Sequence, residues 1–295
     1  MDIVKQLFGH IQENYRQKYA ELLLVRSAAP IGGGCISKAL KLETNRGAFF
    51  LKWNVQGPDD LFLREAESLA EFQKSKNDFI TFPEPLLATA IGDLPGYLLT
   101  SFLDAGHGAN EDENLGRGLA QLHQQTNSEY GFHHNNYCGA TLQDNRFKTS
   151  WIKFYTENRI GYLLQLIRKS RGWDTKDEFV STRFLSKVPD LLPQNTQPAL
   201  IHGDLWSGNY MFTKQVPALI DPCVSYCDRE FELGMMTMFG GFSSTVFEAY
   251  HEYDPLPDDW RKRNQIYQLY HILNHYYLFG GSYKNQALDI LNKFQ

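Results

Sequence analysis

From Pro198 to Asp221, two short apolar runs enclose a polar octapeptide, HGDLWSGN at 202–209, and the following YMFTKQVPALI reads as strand, turn and strand. No other interval constrains the chain as much. It is the one strand-loop-strand passage in a carboxyl-terminal half otherwise built of long segments with helical periodicity: ENLGRGLAQLHQQT, WIKFYTENRIGYLLQLIRK, DEFVSTRFLSKVPDLL and RNQIYQLYHILNHYYLF. His-Gly-Asp alone is an ordinary polar turn between strands. Here, though, Asp204, Asn209 and Asp221 follow one another at offsets of five and twelve, and a tight hairpin would bring Asp221 back beside Asn209.

The amino-terminal half has a different texture. From Leu22 to Thr100 short β-rich runs alternate with Gly, Pro and Asn, interrupted by one helical segment, Pro58 to Lys76, with Pro and Asp at its start and Lys at its end. A glycine cluster, Gly32, Gly33 and Gly34, separates the first two runs, and Asn45 to Gly47 supplies the positive-φ residues of a hairpin turn. The fold class expected is α+β: a β-rich lobe over 1–102 and a helical lobe over 103–295, joined near Phe102 to Asp104. There is no internal repeat or low-complexity tract.

This order of elements suits phosphoryl transfer. A kinase loop has the form H-x-D with Asn five residues after the Asp, and a hairpin then delivers a metal-binding Asp. Asp204 is thus the candidate base beside an attacking hydroxyl, with Asn209 and Asp221 as the two oxygen ligands for Mg²⁺. His202 is expected to support the loop backbone rather than to take a proton. For ATP, absent side chains at Gly32, Gly33 and Gly34 would let backbone N–H groups approach the phosphates. Strand alternation sets Lys52 on the side of Phe50, where a long cation needs a partner. Glu65, early in the next helix, is the preferred one, because Glu67 falls about 200° around the helix from it. Cys35 and Ser37 beside the glycines, and Thr100, Ser101 and Phe102 at the lobe junction, complete the nucleotide-binding candidates. A thiol at Cys35, next to an N–H-rich turn, would have a lowered pKa and be open to oxidation.

Charge excludes other classes of function. The 29 basic and 34 acidic residues give a net charge of −5 and form no basic block that would follow a nucleic-acid backbone. The start, MDIVKQLFGHIQENY, has the pattern of an amphipathic helix rather than of a secretory signal, and no run approaches the ~18 apolar residues of a membrane span. A cytoplasmic protein is expected. Its four cysteines are too few for a disulfide framework, and Cys223 with Cys227 lacks a second ligand pair nearby for a metal.

Taken together, GGGCISKA, FFLKWN, EAESLAEF, LAQLH, GFHHNNYCG, HGDLWSGN, the Asp-Pro at 221 and 222, EFELGMMTMFGGF and LYHILNHYYLFG resemble the fructosamine (ketosamine) kinases. These are relatives of the aminoglycoside phosphotransferases and choline kinases within the bilobal protein-kinase-like fold. The resemblance covers essentially the whole chain, and the octapeptide is its most specific part. It implies ATP- and Mg²⁺-dependent phosphorylation of the 3-hydroxyl of free or protein-bound ketoamines, the fructosamine, ribulosamine or erythrulosamine adducts that sugars form with amines. A 3-phosphate next to the C2 carbonyl would then leave and release the amine, which is deglycation. It also implies that Trp206 forms an aromatic wall against the sugar. The sequence departs from the family's pattern at Cys227 and Asp228, where relatives often carry Gly and His. Two other readings remain: a kinase for an aminoglycoside, choline or another small alcohol, for which the acidic run Glu111 to Glu113 would be a feature, and a non-catalytic nucleotide-binding scaffold.

Overall fold

A computed structural model describes residues 3–32 and 37–295. The chain divides into two compact units, Met1–Glu111 with Tyr210–Pro222, and Asp112–Asn209 with Cys223–Gln295.

The first unit is built on a five-stranded antiparallel sheet. After helix α1 (Ile3–Tyr19) come β1 (Val25–Ile31), β2 (Lys38–Thr44), β3 (Gly47–Asn54), helix α2 (Leu61–Gln73), β4 (Pro85–Thr89) and β5 (Gly96–Ser101), in the spatial order β1-β2-β3-β5-β4. Strand β3 shows why the sheet has two unlike faces. Phe49, Leu51 and Trp53 are buried with Leu7, Ile11 and Tyr15 of α1, whereas the alternate residues, Phe50 and Lys52, turn the other way. Lys52 lies opposite Leu98 of β5, and Leu98 packs with Phe62 and Leu69 of α2. The cation of the strand therefore faces the helix. Helix α2 is shorter than the Pro58 to Lys76 segment expected. The Leu61 N–H bonds back to the Pro58 carbonyl at 3.2 Å, and Asp60 pairs with Arg64 at 2.9 Å, so the Pro-Asp-Asp sequence forms the turn before the helix.

Tyr210–Pro222 belongs to this unit because its backbone is hydrogen-bonded into it. Tyr210–Met211 and Ala218–Leu219 pair as a short hairpin. Thr81 donates to the Pro217 carbonyl at 2.9 Å and accepts from Leu219 at 3.0 Å, while Gly106 donates to Phe212 at 3.0 Å.

The second unit is helical: α3 (Glu111–His123), α4 (Trp151–Lys153) running through a π-helical stretch (Phe154–Gly161) into α5 (Tyr162–Ser170), and α6 (Thr175–Leu191). Asp174 closes α6 with a reciprocal capping box to Asp177. Two short strand pairs, β6 (Asn136–Cys138) with β7 (Thr141–Gln143) and β8 (Ala199–Ile201) with β9 (Ser225–Cys227), lie among the helices; of these, only β8 falls within the strand passage read from sequence. Helices α7 (Arg229–Met238), α8 (Ser244–Tyr253), α9 (Trp260–Phe279) and α10 (Tyr283–Lys293) follow. Trp151 is fully buried among Tyr155, Phe231 and Tyr267, and its indole N–H donates to the Tyr267 hydroxyl at 3.2 Å. Arg159, 1 % exposed, donates to the Asp144 carbonyl at 2.9 Å and Asn145 Oδ1 at 2.8 Å, and its guanidinium lies 4.4 Å from the Phe154 ring centroid. Cys138, Cys223 and Cys227 are free thiols and buried. Among the described residues no helix is long and apolar enough to cross a membrane.

Cys227 and Asp228 are both buried in this scaffold. Asp228 caps α7: Oδ1 accepts from the Glu230 N–H at 3.0 Å, and Oδ2 accepts the Tyr267 hydroxyl at 2.6 Å. Burial, reinforced by the Glu230 charge, pushes the Asp228 pKa up to about 6. The folded chain thus holds this proton more tightly than the unfolded chain does. The associated stability is fully present below the ordinary value near 4 and is lost as pH rises through 6. Each tenfold in proton affinity is worth about 1.4 kcal/mol, so the penalty approaches about 3 kcal/mol. Asp228→Asn keeps a capping oxygen and carries no titrating proton. Its stability relative to the native chain should therefore climb by about 2–3 kcal/mol between pH 4 and pH 7 in urea unfolding, and a difference that stays flat across that range would contradict this account.

Candidate active site

In the first unit the Lys52 ammonium lies 2.9 and 3.0 Å from the two carboxylate oxygens of Glu65 and 3.1 Å from Asp221 Oδ1. Glu67 is engaged elsewhere, pairing with Arg64 at 2.7 Å. Burial opposes the Lys52 charge, but the two carboxylates more than offset it and hold its pKa above the usual lysine value. Burial raises the Glu65 pKa, with Lys52 pulling it back down. Asp221 adopts φ +56°, a left-handed conformation uncommon for any residue with a Cβ, and its side chain is 42 % exposed. One face of that carboxylate is thus paired with the lysine while much of the rest remains accessible.

In the second unit the 202–209 loop leaves β8 and folds back on itself. His202 is buried, and its Nδ1 accepts from the Asp204 N–H at 3.3 Å. The Asp204 carbonyl accepts from Trp206 N–H at 3.1 Å and from the Asn209 side-chain amide at 2.8 Å. The same amide approaches Asp204 Oδ2 at 3.4 Å. Asn209 thus uses its nitrogen to fix the loop, so its oxygen is the atom suited to a cation. Gly203, at φ +86°, sits so close to the Cys223 carbonyl that a side chain would collide with it, and glycine also meets the backbone angle there. Trp206 is not a buried anchor: its ring lies against Gly208 and is 37 % exposed.

Glu232 of α7 holds this loop from behind. Its carboxylate accepts the N–H groups of both His202 and Gly203, the latter at 3.1 Å, and it is 1 % exposed. Sequence reasoning missed it. The available signal was an acid inside the apolar run EFELGMM, where a buried charge must have partners. Glu232→Ala would orphan two buried N–H groups at about 1–3 kcal/mol each. We expect about 3 kcal/mol of lost stability together with lowered turnover; an unchanged melting temperature would show that the two N–H groups find other partners.

The remaining candidates are placed less tellingly. Gly32 is exposed past the end of β1, and Ser37 is half-buried ahead of β2. Gly33, Gly34 and Cys35 lie outside the described residues. Thr100 is buried and donates to the Ser101 carbonyl at 3.1 Å; the Ser101 hydroxyl accepts from Glu84 N–H at 2.9 Å; and Lys41 Nζ sits 4.5 Å from the Phe102 ring centroid. Within the acidic run, Glu111 pairs with His107 at 2.9 Å, and Asp112 accepts from the Ser243 hydroxyl at 2.7 Å.

A five-stranded antiparallel unit with a lysine–glutamate pair, and a helical unit carrying an anchored His-Gly-Asp loop, define a kinase of the protein-kinase-like fold. The aminoglycoside phosphotransferase APH(4)-Ia shares that fold, with a TM-score of 0.59 at 12 % identity over 97 % of this chain and 98 % of its own. A crystal structure from Haemophilus somnus 129PT, provisionally named fructosamine-3-kinase, superposes with a TM-score of 0.84 at 24 % identity over 96 % of both chains. The fructosamine kinase family model matches residues 7–295, and the chain belongs to that family. The protein-ribulosamine 3-kinase of Arabidopsis thaliana chloroplasts is 35 % identical over 270 residues, 90 % of this chain and 81 % of the plant protein.

Proposed function

We propose that this protein is a ketosamine 3-kinase that transfers the γ-phosphate of ATP to the 3-hydroxyl of a ketoamine and so initiates deglycation in the cytoplasm. The observation that carries the reading is the complete set Lys52, Glu65, Asp204, Asn209 and Asp221 in a chain matching the fructosamine kinase family from residue 7 to its end. Nucleotide binding falls to the amino-terminal lobe, 1–102, and the helical lobe, 103–295, supplies the base and the substrate site.

The donor set fits the cofactors. Lys52, oriented by Glu65, would neutralise phosphate oxygens, and Asn209 and Asp221 offer the amide and carboxylate oxygens that magnesium takes. Magnesium bound there would offset charge on the β- and γ-phosphate oxygens. Asp204 accepts the proton of the attacking hydroxyl at its carboxylate, held in place through its own backbone by Asn209 and, via His202 and Gly203, by Glu232. Trp206, with its ring partly open, offers an apolar wall to the sugar. The phosphate ester on C3 then stands next to the C2 carbonyl. Loss of a C1 proton as the carbonyl enolises lets the C3–O bond break with release of inorganic phosphate, and water hydrolyses the resulting imine at C1 to free the amine.

The test is a substrate panel: fructosamine, ribulosamine and erythrulosamine derivatives of lysine beside kanamycin and choline, with Mg-ATP and ADP release as the readout. Turnover on ketoamines ranks the sugars. Turnover on kanamycin or choline alone would overturn the substrate assignment, and silence on all five would favour a nucleotide-binding scaffold.

A further inference from the structure

Three elements of the second unit bring Cys138 at the end of β6, Asp204 in the loop and His271 on α9 together. One ligand atom of each lies within 4.8 Å of the other two. Cys138 and His271 are 2 % and 1 % exposed. A buried imidazole is ordinarily hydrogen-bonded through its ring nitrogens, but His271 Nδ1 is buried with no hydrogen-bond partner among the described residues. Burial pushes the His271 pKa down to about 3, so the ring is neutral and one nitrogen keeps a lone pair.

Cys138 is also equipped for more than packing. The Asn274 side-chain amide donates to Cys138 Sγ at 3.4 Å and to its carbonyl at 3.3 Å, which fixes where the sulfur sits. One thiolate, one neutral imidazole and one carboxylate carry two negative charges, which a divalent cation neutralises. Sulfur with nitrogen selects zinc-like ions, whereas magnesium prefers an all-oxygen set.

We propose that Cys138, Asp204 and His271 form a binding site for a thiophilic divalent cation of the zinc class, and that its occupation switches the enzyme off by engaging the Asp204 carboxylate. Binding displaces one proton from the Cys138 thiol to solvent, while carboxylate and imidazole each donate a lone pair; no electron is transferred. The inhibitory half rests on Asp204 acting as the base; the binding site itself does not.

The experiment uses the full, tag-free chain with Cys35→Ser, so that a thiol outside the site does not compete. Titration with Co²⁺ should give one equivalent of binding with a thiolate-to-cobalt charge-transfer band, and Zn²⁺ should displace it with release of about one proton. Competition against a chromophoric chelator should then give a submicromolar zinc dissociation constant. Cys138→Ser should remove the band and weaken zinc at least about 100-fold, and His271→Gln and Asp204→Asn should each weaken it at least about 10-fold. The band in the unsubstituted site reports thiolate ligation even if Cys138→Ser fails to fold, and His271→Gln, checked by its melting temperature, supplies the second reading. Absence of the band, its persistence in Cys138→Ser, or an unchanged zinc affinity in His271→Gln would overturn the site. With Mg-ATP in large excess, turnover should fall in step with zinc occupancy and return with chelator; full occupancy with undiminished turnover would overturn the switch alone.

Discussion

Asp204→Asn should lower turnover by about 10²–10⁴-fold, the range a positioned general base supplies, while leaving the fold intact. The reason lies in how the loop is held. Asn209 bonds chiefly to the Asp204 carbonyl, and Glu232 bonds to the N–H groups of His202 and Gly203. None of these involves the Asp204 carboxylate, and the longer contact from Asn209 to Oδ2 at 3.4 Å contributes little. The variant should therefore melt within a few degrees of the parent and bind Mg-ATP with similar affinity, as measured by calorimetry. Loss of turnover accompanied by loss of nucleotide binding would instead mean that the carboxylate organises the site and does not act as its base.

Lys52→Met carries the second large effect, and it moves two properties at once. The substitution keeps an unbranched side chain but leaves Glu65 and Asp221 facing one another without the cation that now bridges them. Removing one member of a buried pair costs about 3–5 kcal/mol; with Asp221 42 % exposed, about 2 kcal/mol is expected here. Loss of a charge aimed at phosphate oxygens should lower kcat/KM by about 10²–10³-fold. Adding Glu65→Gln separates the two effects. The double variant should regain most of the stability, because the orphaned carboxylate is gone, and none of the activity. Recovery of both would place Lys52 outside the chemistry.

The Lys52–Glu65 pair was legible in the sequence because it follows from strand alternation and from the angular offset of Glu67 on a helix. So was the 202–209 loop, whose residues are local and whose spacing is short. Other features depend on contacts that no window of sequence contains. Glu232 reaches the loop from 30 positions away along the chain. The return of Tyr210–Pro222 to the first unit is written in backbone hydrogen bonds to Thr81 and Gly106, neither of which has a distinctive residue type. His271 belongs to a segment whose apolar periodicity reads as core, Cys138 lies in a short polar stretch, and only folding sets them beside Asp204. The strand pair β6–β7, three residues in each strand, is too short for alternation to register.

The most direct test follows the phosphate itself. The protein is incubated with Mg-ATP and the ketoamine of the panel that it turns over best, and the product is followed by phosphorus and proton NMR. The account predicts a phosphate ester on C3, then inorganic phosphate and free amine appearing together as the ester eliminates, with neither in the Asp204→Asn reaction. A stable phosphate on any other hydroxyl, with no amine released, would contradict it.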